Sequence, residues 1–300
     1  MGDVLQLSVD LATIEPVLRG WVTRQGTVDA VAWLSATADR IAAGDETGER
    51  ALFVALGLVP RRLGKADLAL TADDLAAADA ARPGWDPRGW SLDQAGRLLL
   101  LLARAARPGF TSVLEQLFVT ADVSELVTFY RGLPLYPDPA AHVARAEEGA
   151  RSNMKAVFEA VAQRNPYPAE RFSEAAWNHL VLKALFVEST LDPIQGLDAR
   201  QNPELARMLC DYAHERWAAG RKVSWELWRC VGRFADEAAI ADLARVLASA
   251  DAHERAAAAL ALAASPRADA RALLDAAGDL GRDARAGRLG WAALAAAPTS

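Results

Sequence analysis

Apolar positions recur along this chain at spacings of three and four, and turn-forming residues punctuate them. That pattern predicts helix after helix with short connectors. Thr27 precedes a run in which Val28, Val31, Leu34, Ala38 and Ile41 share a face. Ser91 precedes LDQAGRLLLLLARAA, with Gln94 placed to complete a capping box. Asp122 is placed to cap VSELVTFYRGL, and Pro134, Pro137 and Pro139 break that helix off. The spacing then predicts one long helix from Pro139 to Gln163, stopped by NPYP at 165–168. A further helix follows through FSEAAWNHLVLKALFVE. Residues 189–202 carry no periodicity and read as an ordered loop. Asn202 and Pro203 have the order of an N-cap and a first helical residue for ELARMLCDYAHERWAAG. Ser224 opens WELWRCVGRF as another helix. No stretch alternates as a strand does, so the fold class is all-α.

The last 65 residues of the 300 form three short amphipathic runs, DEAAIADLARVLAS, DAHERAAAALALAAS and PRADARALLDAAG. They resemble a HEAT-type unit, with Arg255 exposed on the second helix. Plain antiparallel helices of a bundle are the alternative. The expected architecture is therefore antiparallel helices stacked as a helical array or superhelix, HEAT-like toward the C-terminus. It divides into 1–135, a central region 136–235 with the candidate site, and 236–300, or runs as one continuous domain.

Composition narrows the function. A net charge of −6 supplies no basic face for nucleic acid and none for a membrane surface. Cys210 and Cys230 sit in no CxxC and near no His cluster, so no metal is expected and both read as small buried hydrophobes in a reducing compartment. The chain starts with acids where a leader needs a basic stretch, and Gly2 lacks an acylation pattern. The apolar runs 52–60 and 98–103 fall far short of the ~20 residues of a membrane span. The expectation is a cytoplasmic protein without a transmembrane segment. No GxGxxG, P-loop or GxSxG is present, so no cofactor is expected and no covalent serine chemistry is announced.

Ala and Arg dominate the chain, and other polar residues stand out against them. Residues 130–222 hold all four Asn, all four Tyr and three of the four Lys. Such residues serve specific hydrogen bonds, which makes this window the candidate functional region. In the 139–163 helix, His142, Arg145, Glu148, Ser152 and Glu159 share a face that is either solvated or turned inward to a pocket. Asn178 and Lys183 interrupt a segment otherwise apolar nearly all round, so each is either satisfied internally or functional. Asp198, Arg200 and Asn202 lead into a helix N-terminus, which favours anions. The alternative is a loop clamp and a cap. Asp211, His214 and Glu215 lie within about one turn, so Asp211 and His214 form either an acid/base pair or ordinary surface ion pairs. Trp217, Trp225 and Trp228 fill a helix junction or wall a ligand.

Several long stretches resemble EboA-domain proteins: VPRRLGKADLAL (59–70), RPGWDPRGWSLDQAGRLLLLL (82–102), RNPYPAERF (164–172), AAWNHLVLKALFV (175–187), GLDARQNPELARML (196–209) and DYAHERWAAGR (211–221). The resemblance implies a place in bacterial gene clusters that also encode a prenyltransferase-like membrane protein and enzymes resembling dehydroquinate synthase, metal-dependent hydrolases and phosphatases. Those clusters serve specialised-metabolite production and export. It implies no assigned reaction. The family pattern extends to Lys65, Asn165, Tyr167, Trp177 and Asn178, and on to Lys183, Asp198, Arg200 and Asn202. It continues through Asp211, Tyr212, His214, Glu215, Arg216 and Trp217. His179 stands where the pattern has Gln, which counts against a role for it.

Together these observations give two expectations. The first is a small polar or anionic metabolite bound or processed within 139–217, with Lys183, Asp198, Arg200, Asn202, Asn178 and Tyr167 as binding residues and His214 with Asp211 as the catalytic candidates. The second is a non-catalytic helical-repeat adaptor that docks other pathway proteins through its C-terminal helices.

Overall fold

The computed structural model describes residues 9–44 and 46–297. The acidic start, on which the leader and acylation readings rest, lies outside them. The chain forms two compact units, Met1–Phe172 and Ser173–Ser300. The division falls inside the expected central region 136–235. Among the described residues the regular structure is helical, with one isolated bridge between Asp67 and Ser91. No helix among them is long and apolar enough to cross a membrane.

The first unit contains α1 (Leu11–Gln25), α2 (Val28–Ala43), α3 (Glu46–Leu63), α4 (Ala72–Ala81) and α5 (Leu92–Ala105). It continues with α6 (Phe110–Thr120), α7 (Val123–Arg131), α8 (Val143–Arg151), α9 (Lys155–Ala162) and α10 (Tyr167–Arg171). Its centre is α5, buried along its whole length except at Gln94 and packed by α1, α2, α3 and α7. Gly96 lets α3 close in, since a Cβ there would stand 2.3 Å from the Leu63 side chain. The buried charges of α5 are paired. Arg97 meets Asp93 at 3.2 Å and donates to Leu56 O and Ser124 Oγ at 3.1 and 3.0 Å. An unpaired charge there would cost several kcal/mol.

The expected helix over 139–163 is instead three pieces: a short 3-10 turn, α8 and α9. Pro139–His142 is a short 3-10 helix, and α8 then ends at Ser152. The Ser152 hydroxyl accepts from the Met154 amide at 3.1 Å, a local bond that competes with helical pairing. The expected polar face is thereby dismantled. His142 is fully buried against the Phe110 and Tyr136 rings, and Arg145 pairs with Glu115 and Glu148.

The second unit contains α11 (Glu174–Phe186), α12 (Pro203–Ala218), α13 (Glu237–Leu247) and α14 (Ala252–Ala264). It ends with α15 (Ala268–Ala276), α16 (Asp279–Arg285) and α17 (Trp291–Ala296). Here α14 is central, with Ala256 to Leu262 all buried. Its alanines let neighbours approach to backbone contact: a Cβ on Gly232 would lie 2.1 Å from Ala261 O. The segment after Ser224 is not an α-helix but two 3-10 stretches, Trp225–Cys230 and Gly232–Phe234. Arg255 does not project into solvent. It is half-buried and donates to Ser249 O and Ala250 O at 2.8 and 2.7 Å, satisfying carbonyls just past the end of α13.

Candidate functional site

Asn178 and Asn202 are both buried and bind each other reciprocally. Asn178 Nδ2 donates to Asn202 Oδ1 at 3.1 Å, and Asn202 Nδ2 to Asn178 Oδ1 at 2.8 Å. Asn202 Oδ1 also accepts from Leu205 N at 2.8 Å, so it caps α12 as its sequence position suggests. Near the other ends of the two helices, Tyr212 Oη donates to Leu185 O at 3.4 Å. Low numbers thus meet low and high meet high, and α11 and α12 run parallel. That departs from the antiparallel expectation and explains the long aperiodic segment. A chain leaving the end of α11 must travel back along it before α12 can begin.

That return loop is fixed from one side. Glu226 is buried, and its Oε1 accepts from Leu191 N and Asp192 N at 3.0 and 3.1 Å. Burial pushes its carboxyl up, against the pull of those two amides. Arg229 forks onto Asp198 at 2.8 and 2.7 Å and reaches Asp192 at 3.1 Å. The Arg229 guanidinium holds the Asp198 carboxyl below its ordinary range. Asp198 therefore clamps to Arg229, not to Arg200. Arg200 lies 4.8 Å over the Trp177 ring, a cation–π contact, and burial draws its pKa down.

Lys183 is half-buried on α11, and burial lowers its pKa. Tyr167 belongs to the first unit. Its ring is fully buried, its hydroxyl donates to Pro139 O, and burial pushes its pKa up. The Asp211–His214 pair does not form. Asp211 binds Arg207 at 2.6 Å on the exposed face of α12, and His214 Nε2 meets Asp242 of α13 at 2.7 Å. His214 also lies twelve residues along α12 from Asn202, roughly 18 Å at the helical rise. One small ligand cannot touch both ends. Trp217 stacks on Trp228 at 5.8 Å and carries Arg245 at 4.1 Å on its ring. These tryptophans serve helix packing. Burial pushes both Cys210 and Cys230 up to about 12, so neither is a thiolate at neutral pH.

The first unit holds a cavity of about 230 Å³ that the sequence reading passed over. Arg88, Trp90, Val127, Arg131, Ala156 and Arg164 line it, together with Glu159 and Gln163. Arg88 forks onto Asp86 with Nε at 2.8 and 3.0 Å, and Arg164 Nε stands 3.8 Å from the same carboxylate. Glu159 is 3.9 Å from Lys155. Arg131 differs. Its Nη1 donates to two neutral acceptors, Gly89 O at 2.8 Å and Gln94 Oε1 at 2.7 Å. Gln94 completes the capping box of α5 by accepting from Ser91 N at 3.2 Å, so the start of α5 orients Arg131. Burial, and then the neighbouring Arg164, lower the pKa of Arg131. Sequence reasoning missed the cavity because arginine is background in this chain. One signal was present: Arg164 stands just past a helix end where glycine is usual, and its φ is +50°.

Residues 14–232 match the family model described as "Metabolite traffic protein EboA". No curated protein and no solved structure matches the chain.

Proposed function

The chain belongs to the EboA family, and on that premise we propose that it binds a small polar or anionic metabolite and passes it on unchanged within a cytoplasmic specialised-metabolite pathway. The observation that carries this reading is the cavity of about 230 Å³ with arginines in its wall. A concave pocket on which a few polar groups converge is a default candidate for a small-molecule site. Part of its wall, Ala156 to Arg164, lies within the 139–217 window. Binding without chemistry is favoured because the acid/base candidates are engaged elsewhere: Asp211 with Arg207, and His214 with Asp242. The asparagines are likewise engaged in holding α11 to α12. Lys183 and Arg200 remain candidates for a second anion contact.

Native mass spectrometry of the full chain against an extract of producing cells tests this. The expected result is a retained small molecule that leaves with unchanged mass. Release of a chemically altered species, or no retained species at all, overturns the reading. His214→Ala is expected to retain the ligand like the wild type.

One observation favours a second reading, the adaptor. The family match ends at residue 232, whereas the helical unit continues through α13 to α17. Helices beyond the shared part are suited to docking partners particular to one pathway. Charge-reversing substitutions on exposed Arg271 and Arg282 that abolish co-purification of pathway proteins, with metabolite retention intact, would select it.

A further inference from the structure

The cavity of the first unit contains one cation more than its carboxylates balance. Its three guanidinium groups, Arg88, Arg131 and Arg164, face Asp86 and Glu159. Asp86 is shared by Arg88 and Arg164. Among the described residues, no carboxylate lies within ion-pair distance of Arg131, whose hydrogen bonds all go to neutral oxygens. Glu159, in the same wall, attracts it only from beyond that distance, and a half-buried guanidinium without a carboxylate in direct contact is costly. Only its Nη1 is engaged, which leaves Nε and Nη2 as the two-pronged edge that fits an oxyanion.

Arg164 adds an independent observation. It adopts φ +50°, a left-handed backbone that costs a side-chain-bearing residue on the order of 1 kcal/mol or more and glycine nothing. The turn is enforced by its neighbour. Asn165 Nδ2 donates to Tyr130 O and Ala160 O at 3.0 Å each, and its Oδ1 accepts from Tyr167 N at 3.0 Å. Glycine would relieve the backbone and remove the guanidinium. The chain keeps the guanidinium. Trp90, Val127 and Ala156 supply the apolar part of the wall, and Glu159 and Gln163 complete it.

We propose that this cavity binds a compact metabolite bearing one oxyanion, a carboxylate or a phosphate ester, on an apolar or planar body. Arg131 and Arg164 take the oxyanion, Arg88 guards the rim, and Trp90 with Val127 and Ala156 receives the body. The proposal rests on the metabolite-binding reading and names its site and ligand class. A neutral analogue of the same shape is excluded because it leaves Arg131 unpaired.

Saturation-transfer NMR on the full chain at constant ionic strength tests this with benzoate, phenyl phosphate, inorganic phosphate and neutral benzamide as probes. Benzoate or phenyl phosphate is expected to bind, with benzamide at least about tenfold weaker, the worth of one charge-assisted hydrogen bond. The better of the two identifies the oxyanion. Arg131→Met and Arg164→Gly are each expected to weaken binding by about tenfold or more. Arg164→Gly does so without lowering the thermal midpoint, because it relieves the left-handed backbone, and it therefore separates binding from folding. Equal binding of benzamide, stronger binding of inorganic phosphate than of phenyl phosphate, or unchanged binding by Arg164→Gly overturns the proposal. If the variant combining Arg131→Met with Arg164→Gly retains the extract metabolite as the wild type does, this site falls and the metabolite-binding reading stands. If the wild type binds phenyl anions but retains nothing from the extract, the reading falls and the site stands.

Discussion

Asn178 on α11 and Asn202 at the start of α12 are joined carboxamide to carboxamide, each both donor and acceptor. Both are buried, so neither amide has water as a substitute partner. Asn178→Ala removes two hydrogen bonds and leaves Asn202 partly unsatisfied, although Asn202 still caps α12. The expected loss is about 2 kcal/mol, from the typical cost of an unmade buried bond. Urea denaturation of the full chain measures it. A change below about 0.5 kcal/mol would mean that the pair is solvated and does not hold the two helices together.

Arg229 is the external brace of the return loop through Asp192 and Asp198. Arg229→Ala is expected to raise amide hydrogen exchange across 191–202 while α14 keeps its protection. Exchange rising equally in α14 would show that the residue supports the whole unit and not the loop.

Glu226 gives a pH signature. Its folded carboxyl titrates above the ordinary value because of burial. The folded state then holds the proton more tightly than the unfolded state, and stability falls as pH rises from the ordinary carboxylate value through the raised one. Glu226→Gln keeps an oxygen for Leu191 N and Asp192 N and removes the titration. Its stability is expected to fall less over that window than the wild type's. Parallel pH–stability curves would refute this.

Asp74 has the opposite sign. Hydrogen bonds from Thr71 and Arg24 lower its carboxyl to about 2, and Trp21 Nε1 also donates to it at 3.1 Å. A depressed carboxyl stabilises the fold above its unfolded value near 3.8, and that contribution is lost as pH falls toward 2. About 2 kcal/mol is at stake. Asp74→Asn is expected to lower stability at neutral pH by that order and to flatten the acid limb. Guanidinium melts between pH 5 and pH 2 provide the comparison.

The helices and several of their caps were legible in the sequence because they depend on local spacing. Thr27, Asp122 and Asn202 all cap as the residue types suggest. The break at Ser152 was not legible, because helical periodicity continues across it and only a serine bond to Met154 interrupts it. Partnerships across elements were harder still. Asp211 and His214 are neighbours on paper, yet each finds a better partner elsewhere, and spacing along one helix says nothing about the helix packed beside it. Asp198 found Arg229, thirty-one residues on, through a fold that no motif announces. The Arg131 cavity was hidden for a compositional reason: its arginines look like every other arginine in the chain. Two of the stretches that carry the family resemblance, 82–102 and 164–172, nonetheless contribute Arg88, Trp90 and Arg164 to it.

The parallel course of α11 and α12 also bears on how the second unit forms. Sixteen residues, 187–202, separate that pair, whereas four, 248–251, separate α13 from α14. Closing the longer connection costs more chain entropy, so the α13–α14 hairpin is the faster pair to assemble. It is also the later to be synthesised. A chain emerging from its N-terminus therefore presents its slow-closing pair, with its two asparagines still apart, before the quick-closing helices exist.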